Sequence, residues 1–263
     1  MNLDDIRLLN FGLIVLAAAI LVILERVIPY NRGQKFFREG FFNDFILYNF
    51  VQSFILGLLI SYLIQFLDSI SGLSHYRLLS NWPIWFQLFF FTVTHDIYIY
   101  WFHRLQHRNK FLWRIHEAHH STRAVDWLSE VRSHSFEIMI NQTIEFAPII
   151  LLGASPETAV YKGTISAVWG MYIHSNINVR TGWLQYFING PEMHRWHHSE
   201  DESEAHNKNF STKIAAWDWI FQTAYFPRNK TAKKYGLSNF DFPKNYFKQH
   251  LFAFRKFRIQ KKR

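Results

Sequence analysis

The sequence predicts an all-α fold: a multi-span helical membrane bundle with a cytoplasmic helical cap carrying histidine boxes. Three observations predict it. Leu8–Leu24 and Phe45–Leu67 are apolar runs without a charge, the second bounded by Asp44 and Asp68. Histidines recur at three- and four-residue spacings, which share one face of a helix. Finally, 49% of the 263 residues are hydrophobic and 19% aromatic, with no Cys. That composition excludes intrinsic disorder. It also excludes a disulfide scaffold, thiolate metal sites, cysteine-ligated iron–sulfur clusters and cysteine nucleophiles.

The first run, extended by Val27 and Ile28, is long enough to cross a hydrocarbon core of about 30 Å. No small-residue cleavage site follows it, since the flank reads Glu25-Arg26-Val27-Ile28-Pro29. A retained membrane helix is expected rather than a cleaved signal peptide. Phe45–Leu67 is the second span. A third runs from Leu78 through Phe102, interrupted by His95 and Asp96. Ionisable residues that deep in an apolar run face a bundle interior or a functional site. Phe136–Leu152 and Gly163–Val179, joined by the turn Gly153-Ala154-Ser155-Pro156, predict a helical hairpin dipping into the bilayer.

Basic residues set the orientation. Arg32, Lys35 and Arg38 mark one cytoplasmic loop, and Arg104, Arg108, Lys110 and Arg114 follow the third span. The N-terminus is therefore expected on the opposite side. From Arg228 onward the tail holds twelve Lys and Arg against one Asp, so it too is expected to be cytoplasmic. Its Tyr246, Phe247, Leu251, Phe252, Phe254 and Phe257 alternate with cations. That pattern suits a helix on an anionic membrane surface and equally a solvated basic tail. The net charge of +9 points to the membrane and not to nucleic acid, because apolar spans dominate the chain. The chain divides into membrane helices at 1–81, a histidine-rich unit at 82–227 and a basic tail at 228–263.

Three histidine groups stand out of fourteen. His103 and His107 are four apart. His116, His119 and His120 fall at i, i+3 and i+4, and His194, His197 and His198 repeat that pattern. Clustered imidazoles repel when protonated and need partners when buried. A metal supplies the partner, and imidazole suits zinc, copper and iron. Eight imidazoles exceed one tetrahedral ion, so a two-metal site is expected. His116-Glu117-Ala118-His119-His120 also satisfies the zinc-peptidase spacing, with His116 and His120 as ligands and Glu117 as base. That reading leaves His103, His107, His119 and the second triplet unused. Oxygen activation by two metals at a lipid interface uses all of them. A metal-binding protein without catalysis is the third possibility.

The stretch HDIYIYWFHRLQHRNKFLWRIHEAHHS (His95–Ser121), followed by HSNINV, PEMHRWHHS and WDWIFQTAYFP (Trp217–Pro227), resembles the fatty acid hydroxylase/sterol desaturase superfamily of integral-membrane di-iron enzymes. The family's eight-histidine pattern falls on His103, His107, His116, His119, His120, His194, His197 and His198. The resemblance adds His174, on the returning hairpin, as a ligand. It implies two iron ions, O2 as co-substrate, and hydroxylation or desaturation of a sterol, fatty acyl or ether lipid. No haem-binding His-Pro-Gly-Gly segment is present. An external electron donor is therefore implied: a cytochrome b5- or ferredoxin-type protein with its reductase, or a pterin. The first helix looks like an addition to the family core.

The remaining candidates have supporting roles. His134 is read as a ligand or a residue that orients one. Asp96 is read as an acceptor for an imidazole N–H, or as a helix cap or interior polar contact. His95 is expected to be structural or orienting, and Glu117 to be supporting or solvated. Asn176 and Asn178 are expected to pair with backbone or ligand rings. His75, His206 and His250 are expected at the surface.

Overall fold

The computed structural model describes residues 2–200, 205, 207–227, 229–237 and 242–256. Among these the chain is helical, and extended pairing is limited to isolated bridges of Pro29 with Ile177 and Ser199 with Tyr235. His206 and Phe257, discussed above, lie outside the described residues.

α1 spans Leu3–Val27 and starts in a capping box. Asn2 Oδ1 accepts from the Asp5 amide at 2.8 Å, and the Asn2 amide donates to Asp5 Oδ2 at 3.2 Å. α2 spans Asn43–Ser71, with its first part, Asn43–Gln52, wound as a π-helix. It ends at Gly72, whose φ of 63° takes up the left-handed C-terminal cap. α3 (Ile84–Arg108) follows Pro83 and ends at Asn109. Asn109 in turn caps α4 (Lys110–His120), accepting from the Phe111 and Leu112 amides at 2.9 and 3.2 Å. α5 (Ser135–Leu151) and α6 (Pro156–His174) form the expected hairpin. Their turn needs Gly153, because a Cβ there would sit 2.7 Å from Arg77 Cα. Three short α-helices follow among the described residues: α7 (Pro191–His197), α8 (Ala216–Ile220) and α9 (Tyr246–Phe252).

Packing follows the apolar stripes. Leu56, Ile60 and Ile64, one turn apart on α2, close on Ala147 of α5. Leu21 of α1 meets Met171 of α6 and Ile177 just beyond it. Phe91 of α3 packs with Leu79 and Ile149.

Among the described helices only α1 and α2 are both long and apolar enough to cross a membrane, with mean hydropathies of 2.5 and 1.9. Their outward residues are bare, Leu8 at 73% and Phe54 at 69% exposure. α3, α5 and α6 were expected to enter the bilayer as well. They do not meet the same test: α5 is only 17 residues long, and His95, Asp96, Glu137, Glu145 and Lys162 lower the apolarity of the three helices, all five of these residues being buried. Their outer faces stay apolar, with Trp85, Phe89, Phe136 and Ile144 exposed.

A buried ion network joins the first interhelical loop to the link between α4 and α5. Asp44 accepts from Arg38 Nη1 at 2.7 Å and from Arg132 Nε and Nη2 at 2.8 and 3.0 Å, and Arg38 also forks onto Asp126. This network holds the 121–134 segment, which links α4 to α5.

Candidate metal centre

Four helices deliver nine imidazoles to one place. The last two turns of α3 carry His103 and His107. One face of α4 carries His116, His119 and His120. α6 ends on His174, and α7 brings His194 and His197, with His198 as its C-cap. They sort into two sets. In one, ring nitrogens of His103, His107, His116, His120 and His197 lie within 4.8 Å of one another. In the other, those of His119, His174, His194 and His198 do the same. The sets adjoin: ring centroids are 4.7 Å apart for His120 and His198, and 5.1 Å for His116 and His119.

The hydrogen bonds on the far side of each ring explain the aim. Nδ1 of His103 faces the Phe210 carbonyl at 2.8 Å, that of His119 the Arg132 carbonyl at 3.1 Å, that of His174 the Gly170 carbonyl at 2.8 Å and that of His197 the Lys208 carbonyl at 2.9 Å. Nδ1 of His116 faces Glu137 Oε1 at 2.8 Å. A carbonyl or carboxylate acceptor requires the proton on Nδ1, which leaves the Nε2 lone pair pointing at the cluster. The Nε2 atoms meet closely, 3.1 Å between His103 and His116 and 2.8 Å between His174 and His194.

Two further observations fit a metal. Nε2 of His120 and Nε2 of His197 are buried without a hydrogen-bond partner among the described residues. Burial also holds His116 and His119 down at about 3 and pushes His120, His194, His197 and His198 well below the ordinary histidine range. Neutral imidazole is the form that ligates. The donor set is all nitrogen, enough for two ions.

A strap between residues 207 and 217 supplies two of the orienting carbonyls. Asp96 anchors it, accepting from Thr212 Oγ1 and the Lys213 and Ile214 amides at 2.7, 2.9 and 2.9 Å, and from Trp217 Nε1 at 3.2 Å. Asp218 receives the Phe210 and Ser211 amides, each at 2.9 Å. Asp96 thus touches no imidazole, and it sits inside α3 rather than capping it.

Other sequence candidates lie outside the two sets. His134 caps α5, its Nδ1 accepting from the Phe136 amide at 3.1 Å, and its Nε2 meets the His250 carbonyl at 3.2 Å. His250, expected at the surface, is half-buried, with Nε2 2.9 Å from Ser135 Oγ and 3.1 Å from Gln52 Oε1. His95 is buried 3.7 Å from Glu145 Oε1 and joins neither set. Glu117 is not solvated: both its oxygens receive the Arg255 guanidinium at 2.7 Å. Asn176 pairs with backbone, accepting from the Asn31 amide at 2.9 Å. Glu137 was missed as a site residue. In the sequence it reads only as a flaw in an apolar run, and a carboxylate in such a run is itself the signal.

A cavity of about 190 Å³ opens beside the imidazoles, bounded by α3, α5 and α6 and by the strap. His103, His116, His119, His174 and His194 form one wall, and Ile99, Phe102, Ile138 and Ile173 contribute apolar surface.

The chain is similar to known lipid enzymes. An ornithine lipid hydroxylase of Rhizobium tropici is 28% identical over 245 residues, covering 89% of this chain and 73% of that protein. The alkylglycerol monooxygenase of Homo sapiens is 28% identical over 144 residues, covering 55% of this chain and 31% of its own length. A sphingolipid C4-hydroxylase of Schizosaccharomyces pombe is 31% identical over 150 residues, covering 56% and 50% respectively. No solved structure matches. The family model described as fatty acid hydroxylase matches residues 88–223. That stretch contains all nine clustered histidines and more than half of the sequence, and the chain belongs to the fatty acid hydroxylase family.

Proposed function

We propose that the chain is a membrane-bound di-iron oxidoreductase that uses O2 to hydroxylate or desaturate a C–H bond of a lipid. The observation that carries this reading is the pair of adjoining all-imidazole sets facing one cavity. His103, His107, His116, His120 and His197 would hold one iron, and His119, His174, His194 and His198 the other. When bound, the two irons supply the activation of dioxygen and the oxidation of an unactivated C–H bond.

The protein's own part is placement. Glu137 and the carbonyls of Phe210, Arg132, Gly170 and Lys208 hold five rings in one tautomer, so the nitrogen donors need no reorganisation. Ile99, Phe102, Ile138 and Ile173 offer carbon surface to a lipid chain. In a hydroxylation one oxygen atom enters the C–H bond and the other leaves as water, which consumes two electrons and two protons. The electrons come from an external donor, a cytochrome b5- or ferredoxin-type protein with its reductase, or a pterin.

The long apolar helices α1 and α2 and the apolar outer faces of α3 and α5 support a multi-pass membrane protein. The basic loops and tail favour histidine clusters and C-terminus on the cytoplasmic side, with the N-terminus opposite. Ornithine lipids, alkylglycerols and sphingolipids are the classes that the similar proteins suggest. The peptidase alternative lacks support, because Glu117 is engaged by Arg255 and the similar proteins named above are lipid hydroxylases and a monooxygenase.

Lipid mass spectrometry of cells carrying the wild-type chain or His197→Ala tests the proposal. A lipid heavier by one oxygen, or lighter by two hydrogens, is expected with the wild type only. Identical lipid profiles, with the wild-type chain present and metal-loaded, would overturn it.

A further inference from the structure

α7 has two faces. His194, His197 and the C-cap His198 belong to the imidazole sets, whereas Glu192, Arg195 and Trp196, half a turn away, line a separate open cleft of about 960 Å³. Arg195 is the unusual residue there, at 2% exposure. Its Nη1 donates to the Ser175 and Ile177 carbonyls at 3.2 and 3.0 Å, and the guanidinium lies 3.8 Å from the centre of the Tyr30 ring. Its Nη2 is buried without a hydrogen-bond partner among the described residues. Glu192 attracts Arg195 and stands 3.9 Å from Arg180 Nε. Even so, Oε2 of Glu192 is buried without a hydrogen-bond partner, and so is Oε1 of Gln185, which also lines the cleft. One unmet donor therefore accompanies two unmet acceptors.

Holding the loop beyond α6 accounts for Nη1 and for the stacking on Tyr30. It does not account for Nη2, because a buried guanidinium donor without an acceptor is costly. A ligand that satisfies the cleft brings an acceptor for Nη2 and donors for Glu192 and Gln185. Arg180, Arg195, Lys230 and Lys233 face the single carboxylate of Glu192 among the lining residues, so an anionic acceptor is favoured. A guanidinium matches the oxygens of a phosphate. Trp183 and Tyr186, both exposed, offer ring surface to the carbon that carries it. We propose that this cleft binds a phosphate ester with free hydroxyls, a glycerophosphate-type group, as an accessory ligand kept from the imidazoles by α7 itself. A phosphoglycerol lipid headgroup and a soluble polyol phosphate both carry that chemistry. The site does not depend on the oxygenase reading.

Binding tests the inference without turnover. In one arm, full-length protein in phosphatidylcholine nanodiscs is dialysed to equilibrium against radiolabelled glycerol 3-phosphate. In the other, nanodiscs containing phosphatidylglycerol are analysed by native mass spectrometry for retained lipid. Saturable binding near one per chain is expected: in the first arm for a soluble ligand, in the second alone for a lipid. Methyl phosphate and phosphatidylethanol, the matching probes without hydroxyls, should bind about tenfold more weakly, because they leave Glu192 and Gln185 unpaired. Arg195→Lys keeps the charge and loses the fork, and should also cost about tenfold. Arg180→Met with Lys233→Met should weaken binding as well. Thermal unfolding checks each variant, and the second decides should Arg195→Lys fail to fold, since Arg180 and Lys233 are exposed. No saturable binding in either arm, equal binding of the probes without hydroxyls, or binding unaltered in the folded variants overturns the inference.

Discussion

Replacing Glu137 tests the metal-holding role proposed for the histidine sets. Glu137 Oε1 accepts from His116 Nδ1 at 2.8 Å and from Gln106 Nε2 at 3.0 Å, and the carboxylate is 4% exposed. Removing such a partner of a ligating histidine typically weakens metal binding about 10- to 100-fold, or roughly 1.4–2.7 kcal/mol. Glu137→Gln keeps one oxygen for two donors and loses the charge, so about tenfold is expected. Glu137→Leu removes both bonds and strands Gln106 Nε2, so it should approach 100-fold and destabilise the fold by about 1–3 kcal/mol in addition. His116 belongs to only one of the two sets. The weakening should therefore fall on one ion. Chelator competition with Fe(II) or Co(II), on full-length protein in detergent, resolves the two sites. Unchanged affinities, or equal loss of both ions in Glu137→Gln, would refute the reasoning.

Glu117→Gln should leave metal content unaltered, because the carboxylate faces Arg255 and not the imidazoles; loss of metal on elemental analysis would contradict this. Gly40→Ala should destabilise the fold by about 1–3 kcal/mol. Gly40 has φ of +82°, and a Cβ there would strike the Arg132 guanidinium that binds Asp44. Gly57→Ala, with nothing within 4 Å, should be neutral or mildly stabilising, and equal melting shifts for the two would count against the account. Acid should act partly through His134, which burial holds down at about 4 against 6.5 for a free imidazole. The unfolded chain then takes up this proton first, so the contribution is complete above about 6.5 and lost as pH falls toward about 4. His134→Asn keeps an N-cap acceptor without titrating, so between pH 7.5 and 4.5 the wild-type melting temperature should fall further than the variant's. Identical slopes would contradict it.

The histidine boxes were legible because metal-binding helices must repeat at three and four residues, and that periodicity survives in the sequence. What orients them was not. His103 meets the Phe210 carbonyl across 107 residues, and a carbonyl leaves no trace in a sequence. The sequence reads Asp96 as an imidazole acceptor, a helix cap or an interior contact and does not single out Asp218, yet each holds the strap that delivers those carbonyls. The apolar runs of α1 and α2 announced themselves, since lipid-facing helices are apolar over most of their surface. α3, α5 and α6 were harder to read, because each combines an apolar outer face with inward charges. His250 was misplaced for a different reason: it meets His134 across 116 residues, only through tertiary docking of α9.

The central claim is that nine imidazoles hold a pair of irons. Elemental analysis together with iron X-ray absorption, on full-length protein purified under reducing conditions, addresses it directly. The account predicts close to two irons per chain in a nitrogen-rich coordination shell. A single metal per chain, or zinc in both positions of an active preparation, would contradict it.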